Sequence, residues 1–356
     1  MIDDCFIIDA VAHCYNHSPE NRRRKPSEGS AFTAPSGAYA LHKMVNPPAA
    51  VLSPKRFARD WQPEEFIDMI LLESPTDLIC MHSVALFHSY LDGLVTNEKG
   101  AYLKKKYPDR VLWYGTADLG EGKPKVLAML DEVIDQGADG IKFYPTGTNH
   151  QTLEQMNWLM SDRQLAYPLF EHIIQRGIRN IAIHKLAEYE MLPPGPEKRA
   201  YGVNDLAAAA RDFPDVTFHL VHAGWLLMED TLLLMQEHQN ITAVLEGPAL
   251  WPIIDPKRFE LFLSLVGNSI GYDRLLYSSG TTVGHPRPII EAFLAYQPPP
   301  GADFRFTAED KKKVLGLNLA RYHNIDIAER RRKIAGDRFS QAVARDGYRP
   351  LWSGLA

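Results

Sequence analysis

The chain has 356 residues, 45% apolar and 23% charged, a composition that suits a soluble globular protein with one large core or two ordinary ones. Acidic residues outnumber basic ones 44 to 39, a net charge of −5, so no global field favours nucleic acid or an anionic membrane. Three scattered cysteines (Cys5, Cys14, Cys80) exclude a disulfide framework or a CxxC metal knuckle; with acids where a signal peptide needs bases and no membrane-length apolar run, a cytoplasmic protein is expected.

Short apolar or β-branched runs recur in chain order. Phe6–Ala10 comes first, then, after a helical pattern at Glu64–Glu73, Asp77–His82. Val111–Gly115, Gly140–Tyr144, Asn180–His184, Val216–His222, Ile241–Glu246 and Arg274–Ser278 follow, separated by helical patterns such as Pro124–Gln136, Leu165–Arg176, Val203–Phe213 and Pro256–Val266. Eight strands alternating with helices predict an α/β (β/α)8 barrel. The rival doubly wound sheet would want a Gly-rich phosphate turn after its first strand, which is missing. The barrel domain is placed at 1–325. An inserted loop or lid at 17–56 carries Arg22, Arg23, Arg24 and Lys25, and a C-terminal extension at 326–356 holds one charged helix over Glu329–Arg349. The extension suits packing or a homodimer contact.

The residues that end barrel strands face the active-site rim. There the sequence sets His13 after strand one, His82 at the end of strand two, Lys142 in strand four and His184 at the end of strand five. His222 ends strand six and Glu246 ends strand seven. Any one of these could be structural or solvated. Together they point to a metal, because imidazole suits zinc, iron, copper and nickel and a carboxylate can bridge two ions. Asp9 is either a further ligand or an acid that orients one. His219 and His222 are three apart, so on a strand they face opposite sides; His222 is the candidate, and His219 is expected to face the helices. Glu246 as an unpaired buried carboxylate would be costly, so it should meet a metal or a base. Tyr144, Tyr189 and His285 are candidate substrate contacts on the rim, and Arg22 and Arg23 a candidate clamp for a phosphorylated substrate.

The stretches IIDAVAH, GADGIKFYP, IAIHKL, FHLVHAGW, DRLLYSSG and VLGLNLARYHNI, across residues 6–325, resemble the amidohydrolase superfamily and its branch of metal-dependent decarboxylases. By that resemblance His13 is the second histidine of the strand-one HxH pair. His184 and His222 are the strand-five and strand-six ligands, and Asn318 belongs to the closing helix. Lys142 stands where some members carry a bridging carbamylated lysine; a free ammonium or a partner for Glu246 is the alternative. Two positions depart from the pattern. Val11 replaces the first histidine of the pair, and Gly280 replaces the strand-eight aspartate that handles the proton of the attacking water. AVAHCYNHSPEN, His82, Glu246 and the Gly280 turn resemble an offshoot, the TIM-barrel nonheme diiron monooxygenases. This implies two divalent ions, as iron, an electron donor and a small substrate such as a CoA-linked acyl or terpenoid acid, with Glu246 and Lys142 in catalysis. The alternative is a zinc or manganese hydrolase or nonoxidative decarboxylase that has moved its base to Glu246; a third is a barrel that binds without turnover.

Overall fold

The computed structural model describes residues 4–23, 35–185, 198–222, 225 and 227–355. Eight parallel strands form one sheet in chain order: β1 (Ile8–Ala12), β2 (Leu78–His82), β3 (Val111–Thr116), β4 (Gly140–Phe143), β5 (Asn180–His184), β6 (Thr217–Val221), β7 (Ile241–Val244) and β8 (Leu275–Leu276). Ala10 N–H donates to the Tyr277 carbonyl at 2.9 Å and Ala12 bridges Thr281, which closes the ring. The chain is a (β/α)8 barrel. Its strands read as continuous apolar runs because both faces are covered. Ile8, Cys80, Leu112, Tyr114, Ala182, Val221, Val244 and Leu276 belong to one buried cluster that fills the barrel, while Ile141, Ile183, Phe218 and Leu220 belong to the layer that packs on the helices.

Strand positions follow the sequence reading within a few residues. β1 and β8 deviate most, because the apolar run at Phe6 begins below the sheet and β8 pairs over two residues only. Helices Asn97–Lys106, Met228–Glu237 and Pro286–Ala295 complete the alternation. The described parts of the 17–56 insertion are not loop alone: a helix spans Pro35–Val45 and a short one Pro54–Phe57, capped by Ser53. The expected single helix at Glu329–Arg349 is instead two, Ile327–Ile334 and Arg338–Asp346. Asp337 separates them: its carboxylate accepts from Ser340 N–H at 2.8 Å, capping the second helix, and from Arg110 at 2.6 and 3.0 Å. No helix among the described residues is long and apolar enough to cross a membrane.

Candidate metal centre

The strand ends deliver four groups to one place at the C-terminal mouth. His13, just past β1, is held by its backbone N–H on the Thr281 carbonyl at 2.7 Å and by its ring Nδ1 on the His82 carbonyl at 3.0 Å. A carbonyl only accepts, so Nδ1 carries the proton and Nε2 presents a bare lone pair. That lone pair faces Glu246 Oε1 at 3.6 Å. His222 repeats the arrangement: Nδ1 donates to the Glu246 carbonyl at 3.0 Å, and Nε2 lies 3.5 Å from Glu246 Oε2 and 3.2 Å from His184 Nδ1. His222 achieves this from φ +65°, a left-handed turn just past β6 that brings its ring back over the mouth. A carboxylate thus faces two ring nitrogens that present lone pairs, of which His222 Nε2 can also accept from His184 Nδ1. Acceptor against acceptor is repulsive until a proton or a cation lies between them.

A divalent ion answers that demand. Tying Nδ1 to a carbonyl and leaving Nε2 free is how ligand histidines are oriented. Donor separations of 3.2 to 3.6 Å lie near the edge of a tetrahedron with metal–nitrogen bonds of about 2.0 to 2.1 Å, about 3.4 Å. The set is a chain of pairs, however: among the described residues no three such side chains already enclose a single point. Chemistry and spacing fit a metal, and closure requires small ring movements. Electrostatics agree. Burial lowers His13 to about 4 and His222 to about 3, lowers His184 well below its usual value and raises Glu246, so the metal-free centre avoids charge.

Lys142 lies beneath these groups, wholly buried, with Nζ 5.2 Å from the Tyr144 ring centre and without a hydrogen-bond partner. Burial lowers it to about 7, partly countered by Glu246. His82 stacks on Tyr114 at 4.6 Å with both ring nitrogens buried and unpartnered, and its ring is edge-on to His13 at 6.1 Å. It is beside the centre but outside the chain of paired donors. Asp9 accepts from the N–H groups of Val11 and Ser279 at 3.3 and 3.0 Å and from the Ser279 hydroxyl. These bonds make it the tie between β1 and the turn after β8, which favours the orienting role over the ligand role. Gly280, at φ +62°, stands where a Cβ would meet Glu246 Cγ at 3.2 Å and Oε1 at 3.3 Å. A side chain at this position would therefore crowd Glu246, which would have to give way by a few tenths of an ångström.

Around the mouth, Tyr144 stacks on His184 at 4.4 Å, and Tyr15 on His13 at 4.7 Å. Both phenols feel Glu246, and Tyr15 feels Tyr144. Tyr15 was missed in the sequence, although its spacing of two from His13 puts it on the same side of an extended segment. Arg22 pairs with Tyr90 through the backbone and stays partly exposed; the Arg23 guanidinium is spent on the Phe87 carbonyl. Arg24, Lys25 and Tyr189 lie outside the described residues. Two expectations need correction. His285 does not reach the mouth: it is buried, with Nε2 on Glu73 at 2.9 Å and Nδ1 accepting from Arg287 N–H. His219 faces into the barrel, bonded to Thr242 at 2.7 Å and Asn180 at 3.1 Å. Strand alternation holds only to Val221, and the turn at His222 resets it.

A closed barrel with imidazoles and a carboxylate converging on its C-terminal mouth is the plan of a barrel enzyme. This one belongs to the amidohydrolase superfamily: the family model described as Amidohydrolase matches residues 91–322. Comparison with curated proteins gave no match. Among solved structures, it is similar to an uncharacterised TIM-barrel protein from Bordetella bronchiseptica, at 18% identity and TM-score 0.60 over 88% of this chain and 97% of that one. It is also similar to a 5-carboxyvanillate decarboxylase from Novosphingobium aromaticivorans with bound manganese (13%, 0.54, 90% and 97%). A third is a probable 2-pyrone-4,6-dicarboxylic acid hydrolase from Acinetobacter baumannii (12%, 0.52, 89% and 99%). At such identities these likenesses speak to the fold.

Proposed function

We propose that the protein is a metal-dependent nonoxidative decarboxylase of a small carboxylic acid, with hydrolysis as the neighbouring chemistry on the same scaffold. The observation that carries this is the Glu246 carboxylate set against two fixed imidazole lone pairs, beside a glycine where hydrolytic relatives need an aspartate. His13, His222 and Glu246 would hold a divalent zinc or manganese ion, with His184 beside them. When bound, such an ion would supply Lewis acidity toward the substrate's oxygens, which favours withdrawal of electron density from the reacting carbon. Hydrolysis also needs a base to deprotonate a bound water; with Gly280 in place of the aspartate, that role would fall to Glu246. Decarboxylation needs none: the bond from carbon to carboxylate breaks, carbon dioxide leaves and the carbon takes up one proton. Lys142 Nζ, brought to about 7 by burial, can hold that proton beneath the mouth and pass it upward. Tyr15 and Tyr144 flank the histidines and can orient a carboxylate with their hydroxyls.

Family membership and neighbours that include a decarboxylase and a hydrolase support this reading over the iron oxygenase and its acyl-CoA substrate. The test is metal analysis of the purified protein, then assay with hydroxybenzoic acids under nitrogen. Zinc or manganese with carbon dioxide release is the expected result. Two irons per chain with substrate-dependent oxygen uptake would return the assignment to the oxygenase.

A further inference from the structure

Residues 349–355 run along the outside of the barrel and are pinned at Glu73, the last residue of the helix Pro63–Glu73. This carboxylate is 1% exposed and accepts four bonds: from His285 Nε2 at 2.9 Å, Trp352 N–H at 2.5 Å, Ser353 N–H at 2.8 Å and the Ser353 hydroxyl at 2.7 Å. A buried carboxylate so satisfied is a fixed anchor. From it the tail grips two other segments. Trp352 donates from Nε1 to the Ala50 carbonyl at 2.7 Å and packs on His42 at 5.7 Å, both in the insertion, while Arg56 donates to the Leu355 carbonyl. Trp352 also meets His285 edge-on at 4.8 Å, in the loop after β8.

Both segments bear on His13. In the insertion, rings continue from His42 to Phe57 (4.9 Å), His17 (5.3 Å), Tyr15 (4.6 Å) and His13 (4.7 Å). The loop after β8 supplies the Thr281 carbonyl that holds the His13 N–H, and its Val283 carbonyl accepts from His42 Nδ1 at 2.8 Å. The tail therefore clamps both neighbours of one candidate ligand and touches none of the others. We propose that the C-terminal tail is a strap that positions His13, with Trp352 as its positioning residue acting through the ring stack and the loop after β8.

The experiment compares full-length wild type, Trp352→Ala and Trp352→Phe by amide hydrogen exchange with mass spectrometry. For Trp352→Ala, exchange should rise at least tenfold over residues 13–18, 39–57 and 281–285, with β5, β6 and β7 still protected. Trp352→Phe, which keeps a ring and loses the bond to Ala50, should recover most of the protection. Should Trp352→Ala open every strand, Trp352→Phe alone gives the readout, as a smaller rise in those same segments. A rise confined to 349–355 would overturn the strap. Zinc affinity by chelator competition is a second readout, and only this one rests on the proposed metal centre. It should fall about tenfold in Trp352→Ala and recover in Trp352→Phe; unchanged affinity would overturn the positioning of His13. Failure of the wild type to bind zinc would overturn the metal reading, while exchange still decides the strap.

Discussion

Glu246 is a buried acid whose Oε2 has no hydrogen-bond partner and whose two oxygens lie 3.6 and 3.5 Å from the Nε2 atoms of His13 and His222. Glu246→Gln supplies an amide N–H2 that can donate to either imidazole. Without metal the variant should be as stable as wild type or about 1 kcal/mol more so, and it should bind zinc at least tenfold more weakly. Thermal denaturation and chelator competition check the two signs, and a loss in both would sink the account. Gly280→Asp is expected to fail as a route back to hydrolysis. The left-handed backbone disfavours a side chain by about 1 kcal/mol, and the new carboxylate would press on Glu246. The single variant should lose stability without gaining hydrolysis, whereas pairing it with Glu246→Gly clears the space; melting curves and esterase assays of both decide. The sequence shows that both residues are unusual. That one lies close against the other depends on how the β7 and β8 ends converge, which no local pattern carries.

Among the elements, β3 and β4 fit through an omission. Gly140 leaves room for the Tyr114 ring, whose atoms would lie 2.6 to 2.8 Å from any added Cβ. Tyr114 in turn stacks on His82 and bonds His323 Nε2 at 2.9 Å. Gly140→Ala should therefore cost about 1 to 3 kcal/mol by overpacking, read as a lowered Tm, and an unchanged Tm would show that the ring can move aside freely. The eight strands were legible because each is a run of apolar or β-branched residues bounded by polar turns. The insertion was not, since Pro35, Gly37, Pro47 and Pro48 read as loop although a helix lies among them. His285 was misplaced for a related reason: its loop was read correctly, but its partner, Glu73, is 212 residues away in sequence. His219 went astray when alternation was carried past the end of its strand.

For the whole molecule, buried histidines are expected to weaken the fold in acid. His17 and His219 are lowered by burial to about 3 and His323 to about 4, from an ordinary 6.5. With folded values below unfolded ones, the unfolded chain takes up protons first as pH falls. Their contribution is complete above about pH 6.5 and is lost progressively toward pH 3 to 4, by at most about 1.4 kcal/mol per pH unit for each ring. Asp9 acts in the opposite sense: burial raises it to about 7 from 3.8, so its contribution is complete below 3.8 and is lost as pH rises through 7. Metal-free protein should thus show a falling Tm from about pH 6.5 downward, and a flat Tm between 6.5 and 4 would contradict the buried neutral rings.

The filled barrel interior has a consequence for traffic. With Ile8, Tyr114, Val221 and Leu276 packed below the centre, and His219 bonded to both Thr242 and Asn180 inside the same stack, the floor among the described residues is filled. Whatever the candidate centre binds would have to come and go on the side of the C-terminal mouth. On the decarboxylase reading, loading would then be ordered: an ion held by His13, His222 and Glu246 would have to enter before the acid, and a chelator would recover it only after the acid had left.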